Sequence, residues 1–76
     1  MLLGRFETLT PREQDILQRV AEGLSNREIA DRLALSHKTV EVHRAKVMQK
    51  MGARTLSQLI RMAMALGILK LYDGDE

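Results

Sequence analysis

Apolar residues recur at intervals of three and four positions along most of the chain, the spacing that places them on one face of an α-helix. A clear example is the set Ile16, Leu17, Val20 and Ala21. No segment of any length alternates apolar and polar residues as a half-buried β-strand does. The pattern therefore predicts an all-α fold.

Start and stop signals divide this pattern into four predicted helices. Each follows a hydroxyl residue of the kind that caps a helix N-terminus, and three of these residues have Glu or Gln three positions later, which completes a capping box. The four caps are Thr10, Ser25, Ser36 and Thr55. Glycine, which readily adopts the left-handed backbone that ends a helix, follows three of the helices. We expect residues 1–8 to be a loosely held arm or linker remnant, residues 9–71 the domain and residues 72–76 an acidic tail.

The second and third predicted helices are separated only by Ala34, Leu35 and Ser36. So short a connection forces the two helices to cross steeply, as in a helix-turn-helix unit. Most such units have glycine in this turn, and a left-handed backbone is energetically less favourable for Ala34 than for glycine. Because tight helical turns in ordinary cores look similar, the spacing favours DNA binding but leaves a purely structural turn open.

The third predicted helix, about residues 37–51, has two distinct faces on a helical wheel. Val40, His43, Val47 and Met51 fall on the side expected to face the core, with Arg44 leaning toward it. The opposite side consists of Lys38, Val42, Ala45 and Gln49, flanked by Glu41 and Lys46. Small apolar groups there suit thymine methyls, and the polar ones reach base edges or phosphates. The alternative is that Val42 and Ala45 have no function at the surface, since isolated exposed apolar residues are common in proteins.

Charge is unevenly distributed, although the net charge of the chain is only +2. Residues 36–54 carry five basic side chains against one acidic, a balance of +4, whereas residues 1–35 have a balance of −1. Positive charge concentrated on one element is expected of a surface that meets phosphates. A solvated helix face is the alternative.

The composition argues against several other classes. The absence of cysteine excludes disulfides, thiolate metal sites and thiol nucleophiles, and fits a reducing, cytoplasmic setting. No apolar run approaches the roughly 20 residues of a membrane span. His37 and His43 have no third ligand at a suitable spacing, so we expect no metal site. Paired carboxylates, a glycine-rich phosphate loop and an activated nucleophile are missing, so we expect neither an enzyme nor a cofactor.

The fourth predicted helix is apolar over about 200° of the wheel, against roughly 100° for a simple amphipathic helix. The surplus is centred on Met62 and Leu66, beside Leu59. A second copy of the domain, dimerising through these three residues, is the favoured partner, because twofold dimers match two DNA half-sites. The alternative is that residues 68–71 fold back over this surface.

Taken together, these residues resemble the LuxR/NarL type of DNA-binding domain found at the C-terminus of bacterial response regulators. The resemblance extends over about residues 9–68. It is carried by residues 9–13 and 23–30, Ser36, residues 38–40, His43, residues 50–51 and Ala53. Residues 39–45 look most like the FixJ branch of this family.

The resemblance implies a four-helix domain whose third helix enters the major groove, whose fourth helix dimerises, and whose activity is gated by a phosphorylated receiver domain. By position it implies that Glu41, Val42 and Ala45 read bases, and the outward face adds Gln49. The expected phosphate contacts are Ser25, Asn26, Lys38, Thr39, Lys46 and Lys50. The expected partners are double-stranded DNA and a second copy, with an upstream receiver domain and RNA polymerase as further candidates. An excised C-terminal fragment is favoured over a short stand-alone regulator.

The sequence is also compatible with two other functions. A sigma-factor-like promoter-recognition domain also has capped helices and a helix-turn-helix, but it has no evident use for the apolar surplus of the fourth helix. A protein-interaction module would use that surplus and would not bind DNA. Salt-dependent DNA binding distinguishes the protein-interaction module from the LuxR-like domain and the sigma-factor-like domain, which both bind DNA.

Overall fold

The computed structural model of the chain describes residues 1–68, which contain five α-helices. They are α1 (Leu2–Glu7), α2 (Pro11–Ala21), α3 (Asn26–Leu33), α4 (His37–Met51) and α5 (Leu56–Ala65). The all-α fold is confirmed, and α2 to α5 are the four helices predicted from the sequence. Residues 69–71 and the predicted tail at 72–76 lie outside the described part. Among the described helices, none has the combination of length and apolar character that a membrane span requires.

The helix caps account for where α2 and α3 begin. The Thr10 hydroxyl accepts a hydrogen bond from the backbone N–H of Glu13, and the Glu13 carboxylate accepts one from the N–H of Thr10. Ser25 and Glu28 form the same reciprocal pair at α3. These bonds satisfy backbone donors that the first turn of a helix leaves without partners.

The N-terminal segment differs from the loosely held arm expected for residues 1–8. Residues Leu2–Glu7 form α1, and its apolar residues Leu2 and Phe6 pack against the core. The Arg5 guanidinium lies against Gly52 at the end of α4, where a Cβ atom would collide with it. A six-residue helix is too short to show a repeating pattern, but the spacing of Leu2 and Phe6 was a usable signal.

The core lies mainly between α2, α4 and α5, and α3 closes one side. Its largest fully buried side chains are Ile16, Leu17, Ile29, Val40, Val47, Met51 and Leu59. The inward positions predicted for Val40, Val47 and Met51 on α4 are therefore confirmed. α4 is thus held by one face along its length.

The turn between α3 and α4 depends on a strained residue. Ala34 has φ 56° and ψ 43°, and it is the one non-glycine residue with positive φ within residues 1–68. This left-handed conformation costs an L-residue with a Cβ atom about 1–2 kcal/mol. The turn lets the N–H of Leu35 reach the carbonyl of Ala30, at 3.0 Å, and connects α3 to α4 through only three residues.

A partly buried ion pair joins the start of α2 to the end of α4. Glu13 is only 3% exposed, and its Oε1 lies 2.7 Å from Nζ of Lys50. The hydrogen bond from Lys50, followed by that from the N–H of Thr10, holds the pKa of Glu13 below its ordinary value of 4.5, and burial opposes this only in part. One carboxylate therefore both caps α2 and ties it to α4.

We predict that Ala34→Gly raises the free energy of unfolding by about 0.5–1 kcal/mol. Glycine removes the left-handed strain, although its greater freedom in the unfolded chain offsets part of the gain. Urea denaturation measures the change. Ala45→Gly, an exposed position within α4, is the matched control and should lower stability by about 0.5–1 kcal/mol. A loss of stability in Ala34→Gly would contradict the strain assigned to this turn.

We also predict that Lys50→Met lowers the free energy of unfolding at pH 7 by about 1–3 kcal/mol. It leaves a buried carboxylate without its partner, which costs about 3–5 kcal/mol in full burial and less here, because the Lys50 side chain is 33% exposed. The folded-state pKa of Glu13 is lowered, so its contribution is present above pH 4.5 and lost as the pH falls through the lowered value.

Denaturation at a series of pH values from about 7 to 3 tests both statements. A Glu13→Gln variant, which keeps the shape of the capping side chain, should lose less stability on acidification than the parent. Unchanged stability in Lys50→Met at pH 7, or identical acid profiles for the parent and Glu13→Gln, would contradict the role of the pair.

Candidate nucleic-acid interface

The side of α4 that points away from the core presents six exposed residues. We call them the outward face of α4: Lys38, Glu41, Val42, Ala45, Lys46 and Gln49. Val42 is 47% exposed at its centre. The structure therefore brings together all six residues that the helical wheel grouped, and it places two small apolar side chains among polar ones.

The N-terminus of α4 is fixed by Ser36. The Ser36 hydroxyl accepts a hydrogen bond from the N–H of Thr39 at 3.0 Å and donates one to the Thr39 hydroxyl at 2.7 Å. The first turn of α4 contains no acidic residue, so no carboxylate within that turn offsets the partial positive charge of the helix N-terminus. Lys38 adds a full positive charge there. This end of α4 is electrostatically suited to an anion such as a phosphate.

The start of α3 is linked directly to α4. Nη1 of Arg44, which leans toward the core side of α4, donates a hydrogen bond to Oδ1 of Asn26 at 2.6 Å. The amide nitrogen of Asn26 remains a donor on the same side chain. Ser25 uses its hydroxyl oxygen as the cap of α3, and the bond from its N–H to Glu28 lowers the pKa of that carboxyl. The Arg44 guanidinium therefore lies at the start of α3, where the Glu28 carboxylate offsets the partial positive charge of the helix terminus.

Lys50 differs from the phosphate-contacting residue that the sequence suggested. Its ammonium donates to Glu13 at 2.7 Å and to the carbonyl of Thr8 at 3.4 Å, so two of its three donors are used within the domain. Glu13 lies 37 positions earlier, a separation at which sequence spacing gives no indication of contact. Lys50 stabilises the fold, whereas Lys38 and Lys46 remain on the outward face.

His43 faces the core side of α4 and is half-buried, as expected. Its Nδ1 is buried and has no hydrogen-bond partner among the described residues. His43 contributes to packing beneath the outward face and lies outside the exposed set.

The apolar surplus of α5 lies on a different edge from the one predicted. Leu59 is 1% exposed and belongs to the core, and Met62 and Leu66 pack against that core from one side. The opposite edge carries Leu56, which is 44% exposed, and the half-buried Ile60 and Met64. A wheel gives the width of an apolar arc, but which edge is covered depends on where the neighbouring helices pack.

Comparisons with known proteins show which family the chain resembles. Residues 7–63 match the family described as "Bacterial regulatory proteins, luxR family". Nodulation protein W of Bradyrhizobium diazoefficiens is 52% identical over 67 residues, which are 88% of this chain and 30% of that protein. Transcriptional regulatory protein FixJ of Rhizobium meliloti is 52% identical over 64 residues, 84% of this chain and 31% of that protein.

The fold is also found in a solved structure. Full-length FixJ from B. japonicum superimposes with a TM-score of 0.81 at 43% identity, covering 91% of this chain and 34% of that protein. The chain thus spans about a third of the length of these relatives. On the family match, the identities and the shared fold, this chain belongs to the luxR family of bacterial regulatory proteins and is a LuxR-type DNA-binding domain.

Proposed function

We propose that the domain recognises a specific double-stranded DNA sequence by placing the outward face of α4 in the major groove. The observation that carries this proposal is the exposed pair Val42 and Ala45 at the centre of a face whose rim is polar and basic. Methyl groups in this position match the C5-methyl of thymine, which is displayed only in the major groove. An α-helix fits that groove.

Each residue of the outward face has a role in this proposal. Val42 and Ala45 contact thymine methyls, Glu41 accepts a hydrogen bond from a cytosine amino group, and Gln49 reaches a base edge further along the groove. Lys38, Thr39 and Lys46 contact phosphates, together with Ser25 and Asn26 at the start of α3. Lys50 is excluded from this set because its ammonium pairs with Glu13.

The proposal separates general affinity from sequence recognition, and one pair of variants tests both. Lys46→Ala should weaken binding to all duplexes alike and reduce the slope of log affinity against log salt by about one unit. Val42→Ala should cost about 1 kcal/mol on a duplex selected from a random pool and much less on random DNA, because it removes one base contact. Anisotropy titrations between about 50 and 200 mM salt measure both effects.

Lys50→Met, in a buffer where it remains folded, is the matched control for Lys46→Ala and should leave the salt slope unchanged. The phosphate role of Lys46 would be contradicted by an unchanged slope in Lys46→Ala. Equal losses on selected and random duplexes in Val42→Ala would contradict base reading at the centre of α4.

We propose further that α5 supplies a weak homodimer contact, formed on DNA. Leu59 is buried and Met62 and Leu66 already pack on the core, so the contact is assigned to the edge formed by Leu56 and Met64 with Ile60 between them. These positions are four apart and align along one side of a helix. Two adjacent half-sites would hold two copies at high effective concentration, which converts a weak contact into cooperative binding.

Leu56→Glu should keep the fold and single-site binding but abolish cooperative binding to a two-site duplex. The substitution sets like charges against each other across a twofold axis and leaves the buried side of α5 intact. Titrations of one-site and two-site duplexes measure the effect, with circular dichroism as the folding control. Ala65→Glu, which adds the same charge at an exposed position of α5, should remain cooperative. Cooperative binding by folded Leu56→Glu would contradict the assigned interface.

The relatives extend the proposal to a longer protein. They include proteins named as transcriptional and response regulatory proteins, about three times the length of this chain. We propose that this domain is the output part of such a regulator in a bacterial cytoplasm. A phosphorylated receiver domain would control it, RNA polymerase would be a downstream partner, and it would have no catalytic activity. A sigma-factor-like promoter domain or a protein-interaction module is the alternative, and the latter predicts no salt-dependent DNA binding.

A further inference from the structure

Glu41 is the one carboxylate on the outward face of α4. In a DNA groove this charge faces phosphates on both strands, and it favours binding only where an amino group lies within reach. A glutamate side chain also has several rotatable bonds, so an unrestrained carboxylate would lose much conformational freedom on contacting one base. Glu41 therefore needs a neighbour that limits where its carboxylate lies.

His37 provides such a neighbour one helical turn earlier. Its Nδ1 lies 3.2 Å from Oε2 of Glu41, and the two side chains are 57% and 48% exposed. His37 is the first residue of α4 and directly follows the cap Ser36, so its backbone is fixed. An ionised carboxylate only accepts hydrogen bonds, so this contact is attractive when Nδ1 carries a hydrogen, in the imidazolium or in the matching neutral tautomer.

Helix stability alone does not explain this pair. An exposed ion pair four residues apart adds little to helix stability. It adds more when the carboxylate is the residue nearer the N-terminus of the helix. Asp15 and Arg19 on α2 have that favourable order, whereas His37 and Glu41 have the reverse. A basic side chain in the first turn is also unfavourable because it lies near the positive end of the helix dipole. The pair is better explained by its location on the surface that meets DNA.

We propose that His37 is a positioning residue that sets base specificity through Glu41. The imidazole holds Oε2, and Oε1 remains to accept a hydrogen bond from the amino group of a cytosine in the major groove. The contact also spreads the negative charge, which reduces repulsion between the carboxylate and nearby phosphates. This inference rests on the proposed function, in which Glu41 reads a base.

The test measures affinity for the duplex selected from a random pool and for duplexes in which one of its base pairs is replaced. The variants are His37→Ala, His37→Gln, Glu41→Gln and the double variant His37→Ala/Glu41→Gln. Glu41→Gln should reduce the preference for cytosine at one position by about tenfold, because an amide oxygen accepts a weaker hydrogen bond than a carboxylate and the amide nitrogen can donate to other bases. His37→Ala should reduce it by about three- to tenfold at that position only, and the double variant should lose no more than Glu41→Gln alone. His37→Gln, whose amide can donate over the same spacing, should restore the preference to within about twofold.

The possible failures are distinguishable. Loss of cytosine preference in Glu41→Gln but not in His37→Ala would overturn the inference and leave the proposed function standing. Equal weakening of all duplexes by His37→Ala would overturn it as well, because it would indicate a phosphate contact by His37. If neither variant changes any base preference, base reading by Glu41 is wrong and the inference is overturned with it. The ratio of parent affinities for selected and random duplexes then still measures specific DNA binding.

Discussion

Burial of Val40, Val47 and Met51 fixes α4 in the core, and the other features of the domain depend on it. All three side chains are fully buried, and each contributes about 1.5–3 kcal/mol relative to exposure. Because they lie along one side of the helix, they set its rotation about its own axis as well as its position. Val42 and Ala45 are held outward as a consequence. A rotation by a single residue would move them toward the core and expose a buried residue instead.

Polar contacts position both ends of the same helix. At its start, the Ser36 cap ties α4 to the turn, and at its middle the bond from Arg44 to Asn26 ties it to α3. At its end, Lys50 reaches the buried Glu13. Lys46 and Lys50 are one helical turn apart, yet the first is exposed and the second pairs internally. The two lysines therefore differ in role: Lys50 stabilises the fold, whereas the ammonium of Lys46 lies on the outward face.

Much of this arrangement is predictable from sequence because it is local. Thr10, Ser25, Ser36 and Thr55 mark the helix starts through bonds that span three residues, and the periodicity of α4 separates its buried and exposed sides. The short connection between α3 and α4 is visible in the sequence, and Ala34, for which a left-handed backbone was expected to be unfavourable, does have a positive φ.

The features that the sequence did not reveal depend on contacts between distant segments. The docking of α1 requires knowing that Arg5 lies against Gly52. The role of Lys50 depends on Glu13, and the exposed edge of α5 depends on which side the core covers. The pairing of His37 with Glu41 is local, but its spacing alone does not separate a helix-stabilising contact from one that orients a base-reading carboxylate.

The central claim is that the outward face of α4 reads the sequence of a DNA duplex. Selection of bound duplexes from a random pool by the folded parent domain tests this claim most directly. The account predicts that the recovered sequences converge on a short motif with thymine and cytosine at defined positions, matching Val42, Ala45 and Glu41. Recovered sequences that remain random, from a domain that is folded by circular dichroism, would contradict it.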